Sequence, residues 1–268
     1  MKHLLIIISV IFLIGCNSND IVEVSFSEKQ DVLFEDYVVP FQFFPRTIEM
    51  VGLGDSLTQG VGDELKREGY IGRLQQHFSQ YKGIEDVPLT NTAKRGRRSD
   101  QLLKMLKDGE IDHQIRKAHI ITLTIGGNDI MKVIKKELFD LKVEAFEKEL
   151  VKFKSNYEEI IHEIREINST APIIIMGLYN PITIVTDEKS DFDLILNNWN
   201  ETIEEIAVDD NNACYIPIDH LFVTNTNLVY HTDFFHPNSK GYQLVIEEIV
   251  STMQDCGLID EDNRELLF

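Results

Sequence analysis

Five short apolar runs recur along the chain, each followed by a turn and then by a segment with helical spacing. The runs cover residues 48–53, 87–91, 120–125, 173–178 and 214–218. Each run is continuous rather than alternating, which is typical of strands that are covered on both faces. Alternation of such strands with helices predicts an α/β fold, in which one five-stranded parallel sheet lies between two layers of helices.

Apolar residues between these runs recur every three or four positions, which predicts amphipathic helices. The helical positions are Ile71, Leu74 and Phe78, then a long series from Val143 to Ile164, then Leu194, Ile203 and Ile206, and finally Leu244, Val245 and Ile249. Asn238, directly after Pro237, predicts the start of the last helix. In parallel sheets of this kind, ligands bind beyond the carboxyl ends of the strands, so we expect the functional residues in the turns that follow the strands.

The amino terminus has the pattern of a signal peptide. Lys2 supplies a positive start, and residues 4–14 form an almost unbroken apolar run. This run is shorter than the roughly 20 residues that a membrane-spanning helix needs, but it suits the core of a signal peptide. Residues 1–15 are therefore predicted to be a signal peptide, residues 16–36 a tether, and residues 37–268 a single domain.

The apolar run ends in Leu13-Ile14-Gly15-Cys16, which resembles a bacterial lipobox. The resemblance implies a diacylglyceryl group on Cys16 and anchoring at the extracytoplasmic face of the cell membrane. An ordinary secretory signal with an incidental cysteine is the alternative. The other two cysteines are Cys214 and Cys256. Their pairing is left open by the sequence, although we expect Cys214 to pack as a small apolar residue.

The charge balance limits the partners of this protein. The chain carries 45 acidic and 26 basic residues, a formal net charge of −19. Such a surface repels polyanions, so a nucleic-acid partner is not expected. The same charge discourages the body from lying on an anionic bilayer through its own surface. The sequence indicates nothing about the oligomeric state.

The first run leads into Gly54-Asp55-Ser56, a candidate nucleophile turn. A serine in a tight turn at a strand end exposes its hydroxyl, and its backbone N–H can face the same space. Ordinary turn chemistry is the alternative for these residue types.

The second and third runs are each followed by a candidate hydrogen-bond donor. Gly96 lies in the loop after the second run, where a glycine can present a bare backbone N–H. Asn128 follows Gly126-Gly127 after the third run, and its amide could donate to a developing oxyanion. A loop glycine and a helix-capping asparagine are the respective alternatives.

Asp233 and His236 form the fourth candidate block, near the end of the chain. Their spacing within one turn allows the carboxylate to hold one imidazole nitrogen while the other faces outward. A general base needs this arrangement because it selects one tautomer and stabilises the imidazolium. A structural histidine beside Pro237 is the alternative.

The four blocks, taken in this order, resemble the GDSL/SGNH hydrolase family. The family's name letters match Ser56, Gly96, Asn128 and His236, and its partner acid matches Asp233. The resemblance implies a three-layer α/β/α, flavodoxin-like fold and hydrolysis of carboxylic esters or thioesters without metal or cofactor. It also implies catalysis by Ser56, His236 and Asp233, with an oxyanion hole made by the N–H groups of Ser56 and Gly96 and the side chain of Asn128.

The sequence does not define the substrate beyond a small acyl ester, a lipid or an acylated envelope polymer. Residues 179–197 could shape an acyl pocket or act as a lid. Arg97 and Arg98 could attract an anionic substrate group, although solvated surface cations are the simpler interpretation.

Two other functions compete with the serine hydrolase. One is a metal-dependent hydrolase that uses His220, His231, Asp233 and His236, although these residues share no compact ligand motif. The other is a non-catalytic surface lipoprotein that binds a ligand on the same fold.

Overall fold

The computed structural model describes residues 44–136, 142–180, 191–223 and 228–268. The predicted signal peptide, Cys16 and the tether lie outside these residues. Within them, no helix is long and apolar enough to cross a membrane.

Five of the strands form one parallel sheet. The strands of the described residues are β1 (Arg46–Thr47), β2 (Met50–Gly54), β3 (Ile84–Asp86), β4 (Leu89–Asn91), β5 (Ile120–Thr124), β6 (Ile173–Met176), β7 (Ala213–Ile216), β8 (Ile259–Asp260) and β9 (Glu265–Leu266). The main sheet has the order β4-β2-β5-β6-β7, with every neighbouring pair parallel. The five continuous apolar runs thus correspond to these five strands, and the predicted sheet is confirmed.

Helices cover both faces of the sheet. They are α1 (Gly69–Phe78), α2 (Ser99–Lys107), α3 (Asp112–Lys117), α4 (Gly127–Lys136), α5 (Val143–Ile167), α6 (Asp191–Asp209) and α7 (Ser239–Asp255), with a 3₁₀ helix at Asp219–Phe222. Side chains of α1 and α7 share one buried cluster, and side chains of α2 to α6 share another. Successive residues of a strand point to opposite faces, so Ile174 joins the first cluster and Ile173 the second. The predicted three-layer α/β/α fold is confirmed.

The order of the strands reverses between β2 and β5, and this is where an α/β sheet of this type binds ligands. Gly54 ends β2 beside Thr124, the last residue of β5. A Cβ at Gly54 would lie 1.9 Å from the Thr124 carbonyl oxygen, and Gly54 has a φ of 125°. Glycine is therefore required for β2 to approach β5 closely just before Ser56.

Cys214 and Cys256 form a disulfide, with their Cα atoms 6.1 Å apart. Cys214 packs in the buried apolar cluster as expected, and the pairing that the sequence left open is a disulfide. The bond joins β7 to the residue that follows α7. The apolar pattern could not reveal this pair, because the buried position of Cys214 suits both a thiol and a disulfide.

Three helices were not predicted. Helix α3 is only six residues long. Helices α2 and α4 begin at the ends of the loops in which Gly96 and Asn128 were predicted as hydrogen-bond donors. Asn128 consequently lies in the first turn of α4 rather than in a loop. Each of these helices follows a turn directly, so the turn residues masked its start.

Candidate active site

Ser56, His236 and Asp233 form one hydrogen-bonded chain. The Ser56 Oγ lies 2.9 Å from the His236 Nε2, although the two residues are 180 positions apart in the sequence. The His236 Nδ1 lies 2.6 Å from the Asp233 Oδ2. The fold thus brings together the three residues that the sequence analysis selected as nucleophile, base and orienting acid.

Ser56 stands in a turn directly after β2. The N–H of Val61 donates to the Ser56 carbonyl oxygen at 3.0 Å, and the N–H of Gln59 donates to that of Asp55 at 3.1 Å. The backbone N–H of Ser56 has no hydrogen-bond acceptor among the described residues. This N–H is therefore available to a ligand.

His236 is held by a tight loop that leads into α7. The N–H of His231 donates to the His236 carbonyl oxygen at 2.8 Å, and Tyr230 pairs with Pro237 across the loop. Phe234 forms the turn with a φ of 54°, a conformation that a bulky residue adopts only at a cost. This loop aims the imidazole back at the end of β2.

Asp233 is held as a carboxylate. Partial burial raises its pKa, but the His236 side chain and the backbone N–H groups of His236 and Phe235 donate to it and together lower its pKa to about 2. An ionised carboxylate can only accept hydrogen bonds, so the His236 Nδ1 carries the proton that faces it. The His236 Nε2 is then free to accept the proton of Ser56.

His236 is suited to be neutral before it reacts. Burial lowers its pKa, and the nearby charge of Arg95 adds to this effect, whereas Asp233 raises the pKa. The net result is a pKa below the ordinary 6.5. The imidazole can therefore act as a base at neutral pH.

Gly96 presents a second free backbone N–H. Its loop is tied to the nucleophile turn, because the N–H of Lys94 donates to the Gly54 carbonyl oxygen at 3.0 Å and the N–H of Arg95 to the Gln59 Oε1 at 2.6 Å. The N–H of Gly96 itself has no acceptor among the described residues. Gly96 has a φ of 81°, a backbone conformation that residues with a side chain rarely adopt. This φ explains the glycine, because an added Cβ would meet no other atom within 4 Å.

Asn128 lines the same cleft as Ser56, and its side-chain amide has two partners. The Asn128 Nδ2 lies 3.0 Å from the Arg97 carbonyl oxygen and 3.4 Å from the Asp55 Oδ2. A substrate oxygen would have to share or replace these contacts. The role of Asn128 as an oxyanion donor stays a prediction.

Asp55 is a buried carboxyl that the sequence analysis treated only as a turn residue. Its Oδ1 accepts hydrogen bonds from the N–H of Leu57 and the hydroxyl of Thr124, and its Oδ2 faces Asn128. Burial raises its pKa to about 6, with a smaller increase from the charge of Asp129, although the hydrogen bonds oppose this. Asp55 therefore supports both the nucleophile turn and the Asn128 amide.

An apolar cleft extends from Ser56 between α4 and α6. Its apolar lining is Leu57, Ile130, Met131, Ile134, Leu178, Tyr179, Phe192, Leu196 and Phe235. Tyr179, Phe192 and Leu196 belong to the 179–197 segment, so the described part of that segment does border the cleft. Residues 181–190 of the same segment lie outside the described residues.

Arg97 and Arg98 have structural partners. The Arg97 guanidinium points inward and donates to the carbonyl oxygens of Thr92 at 2.7 Å and Gly54 at 3.3 Å. Arg98 forms an ion pair with Asp100 at 3.1 Å. Arg97 therefore stabilises its loop, which explains the residue without an anionic substrate.

The residues of the metal alternative are separated or already paired. His220 pairs with Glu248 on α7 at 3.3 Å, and the Asp233 carboxylate is bound to His236. Across the described ranges, no three His, Cys, Asp or Glu side chains are grouped as metal ligands.

The sequence matches a known family over most of its length. Residues 53–244 fit the model of the GDSL-like lipase/acylhydrolase family. This chain belongs to that family. The match spans all four blocks and includes the three residues of the hydrogen-bonded chain.

Two curated proteins are similar in sequence to this GDSL-like chain. One is the uncharacterized protein YpmR of Bacillus subtilis, 34% identical over 216 residues, which covers 80% of this chain and 84% of that protein. The other is the spore germination lipase LipC of Bacillus licheniformis, 28% identical over 212 residues, covering 76% of this chain and 95% of that protein.

A solved structure shares the fold. The lipase Lip_vut3 from a goat rumen metagenome superimposes with a TM-score of 0.65 at 24% identity, covering 76% of this chain and 97% of that one. At this identity the likeness supports the GDSL-like fold alone.

Proposed function

We propose that this protein is a serine hydrolase that cleaves carboxylic esters or thioesters through an acyl-enzyme at Ser56. The observation that carries the proposal is the hydrogen-bonded chain from Ser56 through His236 to Asp233. Membership of the GDSL-like lipase/acylhydrolase family supports the same reaction class.

In the first half of the reaction, the Ser56 Oγ attacks the acyl carbon and gives its proton to the His236 Nε2. The resulting imidazolium is stabilised by Asp233, whose lowered pKa keeps it ionised. The tetrahedral intermediate collapses when the bond from the acyl carbon to the leaving oxygen or sulfur breaks. His236 returns the proton to that leaving group, so an alcohol or thiol departs and the acyl group stays on Ser56.

In the second half, water attacks the acyl carbon and His236 accepts a proton from the water. Collapse of this second intermediate breaks the bond to the Ser56 Oγ, which takes the proton back from His236. The products are a carboxylic acid and the free enzyme. The free N–H groups of Ser56 and Gly96 are suited to stabilise the negative oxygen in both halves, and Asn128 is the third candidate donor.

The apolar cleft supports a substrate with an acyl chain. Its lining begins at Ser56 and Leu57 and continues along α4 to Ile134. Six residues of an α-helix rise about 9 Å, so the lining between Asn128 and Ile134 can accompany several methylene groups. An acetyl group would leave most of this apolar surface in contact with water.

The test is the hydrolysis of a series of chromogenic esters from acetyl to long acyl chains, by the wild type and by Ser56→Ala. We expect wild-type turnover that rises with chain length, and loss of turnover in the folded variant. Activity that survives in Ser56→Ala would contradict the mechanism. No wild-type activity on any ester would favour the ligand-binding lipoprotein instead.

We also propose that the enzyme is anchored through a lipid on Cys16 at the extracytoplasmic face of the cell membrane. The lipobox-like sequence motivates this, and the Cys214–Cys256 disulfide is of the kind that persists in an oxidising compartment. Metabolic labelling with an alkyne analogue of palmitate should mark the wild type but not Cys16→Ala. Equal labelling of both would contradict the anchor.

A further inference from the structure

A buried ion pair lies between the loop that follows Ser56 and the helix that follows His236. The Arg73 Nη1 is 2.6 Å from the Asp63 Oδ2, and the two side chains are only 5% and 1% exposed. Neither residue lines the apolar cleft. Further hydrogen bonds stabilise a buried pair of this kind, and they show which segments the pair joins.

Asp63 organises residues 60–68, the segment between the nucleophile turn and α1. Its Oδ2 accepts the backbone N–H groups of Arg67 and Gly69, both at 3.0 Å, and its Oδ1 accepts the Arg73 Nη2 at 3.1 Å. Burial raises its pKa, but these bonds outweigh burial and lower the pKa below its ordinary value. The carboxylate thus fixes the segment to the start of α1.

Arg73 and its neighbours connect this segment to the start of α7. The Arg73 Nη2 donates to the Ser239 Oγ at 2.6 Å, and the Glu64 Oε2 accepts the N–H of Ser239 at 2.8 Å. The hydroxyl of Tyr242 donates to the Val61 carbonyl oxygen at 2.7 Å. Ser239 is only three residues beyond His236. These bonds therefore hold the end of the histidine loop, residues 230–237.

The same segment also contacts both reacting residues. Gly62 packs so closely that an added Cβ would lie 2.5 Å from the Pro237 carbonyl oxygen and 3.0 Å from the His236 Cβ. On its other side, the N–H of Val61 donates to the Ser56 carbonyl oxygen at 3.0 Å. Residues 60–68 therefore contact both the nucleophile turn and the histidine loop.

We infer that Asp63 and Arg73 are positioning residues, which set the distance between the Ser56 Oγ and the His236 Nε2 through residues 60–68. This inference rests on the proposed function. Proton transfer needs the two atoms within hydrogen-bond distance, and displacements of a fraction of an ångström lower the rate. Neither residue contacts the reacting atoms, so the pair acts through the loops and not on the substrate.

The test removes two of the connecting hydrogen bonds and leaves the ion pair intact, because loss of either charge could unfold the protein. Ser239→Ala removes the bond from the Arg73 Nη2 to the Ser239 Oγ, and Tyr242→Phe removes the bond to the Val61 carbonyl oxygen. The bond from the Ser239 N–H to Glu64 and the 3.4 Å contact of Arg73 with the Ser239 carbonyl oxygen remain. For a short chromogenic ester we expect kcat of the double variant to fall about 5- to 10-fold while KM changes less than about 2-fold.

Matched controls remove the same groups elsewhere. Ser79→Ala deletes an exposed hydroxyl bonded to the Gln76 carbonyl oxygen at the end of α1. Tyr157→Phe deletes a buried hydroxyl that has no partner among the described residues. Both controls should keep kcat within about 2-fold of the wild type.

The pH profile separates positioning from stability. Burial lowers the pKa of His236, so a loosened and better hydrated loop should move that pKa back up towards 6.5. The acid limb of kcat/KM should then shift to higher pH in the double variant. An unchanged kcat and an unmoved acid limb, with only a lower melting temperature, would overturn the inference.

An NMR titration of the His236 ring protons gives the same comparison without turnover. If the wild type hydrolysed no ester, the proposed function would fail, yet the titration would still decide the positioning role. If Ser56→Ala lost activity while the double variant titrated and reacted like the wild type, the function would stand and the positioning role would fail.

Discussion

Two walls of the site meet at Ser56. The first wall contains α1 and α7, the second contains α4 and α6, and different interactions stabilise the two. On the first wall, directional hydrogen bonds around the Asp63–Arg73 pair join the nucleophile turn to the histidine loop. On the second wall, the cleft is lined mainly by apolar side chains such as Ile134 and Leu196.

This difference separates chemistry from specificity. Hydrogen bonds lose strength steeply when their geometry changes, so the first wall tolerates little variation. Apolar contacts are non-directional, so side chains of another size can replace one another on the second wall at modest cost to the fold. Changes to the first wall should therefore lower turnover of every ester, whereas changes to the second should alter the choice among esters.

The largest effect is expected from Asp233→Asn on the first wall. The amide can present its N–H to the His236 Nδ1, which favours the tautomer that has a proton on Nε2 and cannot accept one from Ser56. We expect kcat to fall about 10³- to 10⁴-fold for short and long esters alike. Steady-state kinetics on both classes checks this, and a loss confined to long esters would contradict the division between the walls.

The next largest effect is expected from Ile134→Trp, which should obstruct the far part of the cleft. Relative to an acetyl ester, kcat/KM for a long-chain ester should fall about 10- to 100-fold, because the chain loses its apolar contacts. Lys135→Trp, at an exposed position of the same helix, is the matched control and should alter neither substrate. Equal losses on both esters would show that the cleft does not bind the chain.

The pH dependence of wild-type kcat/KM tests the environment of His236 on the first wall. The reaction needs neutral His236, whose pKa is below 6.5, so kcat/KM should be constant near neutral pH and fall as pH decreases through that pKa. Below that pKa, kcat/KM should fall about 10-fold for each pH unit. A midpoint clearly above 6.5 would mean that the imidazole is more hydrated or more strongly paired than described.

The smallest effect on activity is expected from removal of the disulfide with Cys214→Ala and Cys256→Ala. This bond closes a loop with a sequence separation of 42 and lies at the C-terminal end of α7, the end away from His236. Its loss should lower the free energy of unfolding by about 2–4 kcal/mol and leave kcat/KM within about 2-fold at temperatures where the variant is folded. Denaturant unfolding and ester kinetics together check this, and a large loss of kcat in the folded variant would be unexpected.

The sheet was accessible from the sequence because its pattern is local, since continuous apolar runs indicated the five strands. The reacting residues were accessible in another way. Each block alone also suited a structural role, and only the order of the four blocks, which resembles the GDSL/SGNH family, indicated Ser56, Asp233 and His236.

The supporting residues were not accessible, because their roles depend on distant partners. Arg73 lies on α1 beside the apolar residues that define its buried face, and nothing local distinguishes it from a solvated arginine. Its partner Ser239 is 166 positions away. Asp55 likewise looks like a turn residue until Asn128 and Thr124 are brought against it.

The most direct test of the central claim is to identify by mass spectrometry the residue that an alkyl fluorophosphonate modifies. This reagent reacts with a serine that a neighbouring base has activated. We predict one adduct per chain, on the peptide that contains Ser56, and slow or absent labelling in His236→Ala. An adduct on another residue, or ester hydrolysis that continues with Ser56 unmodified, would contradict the account.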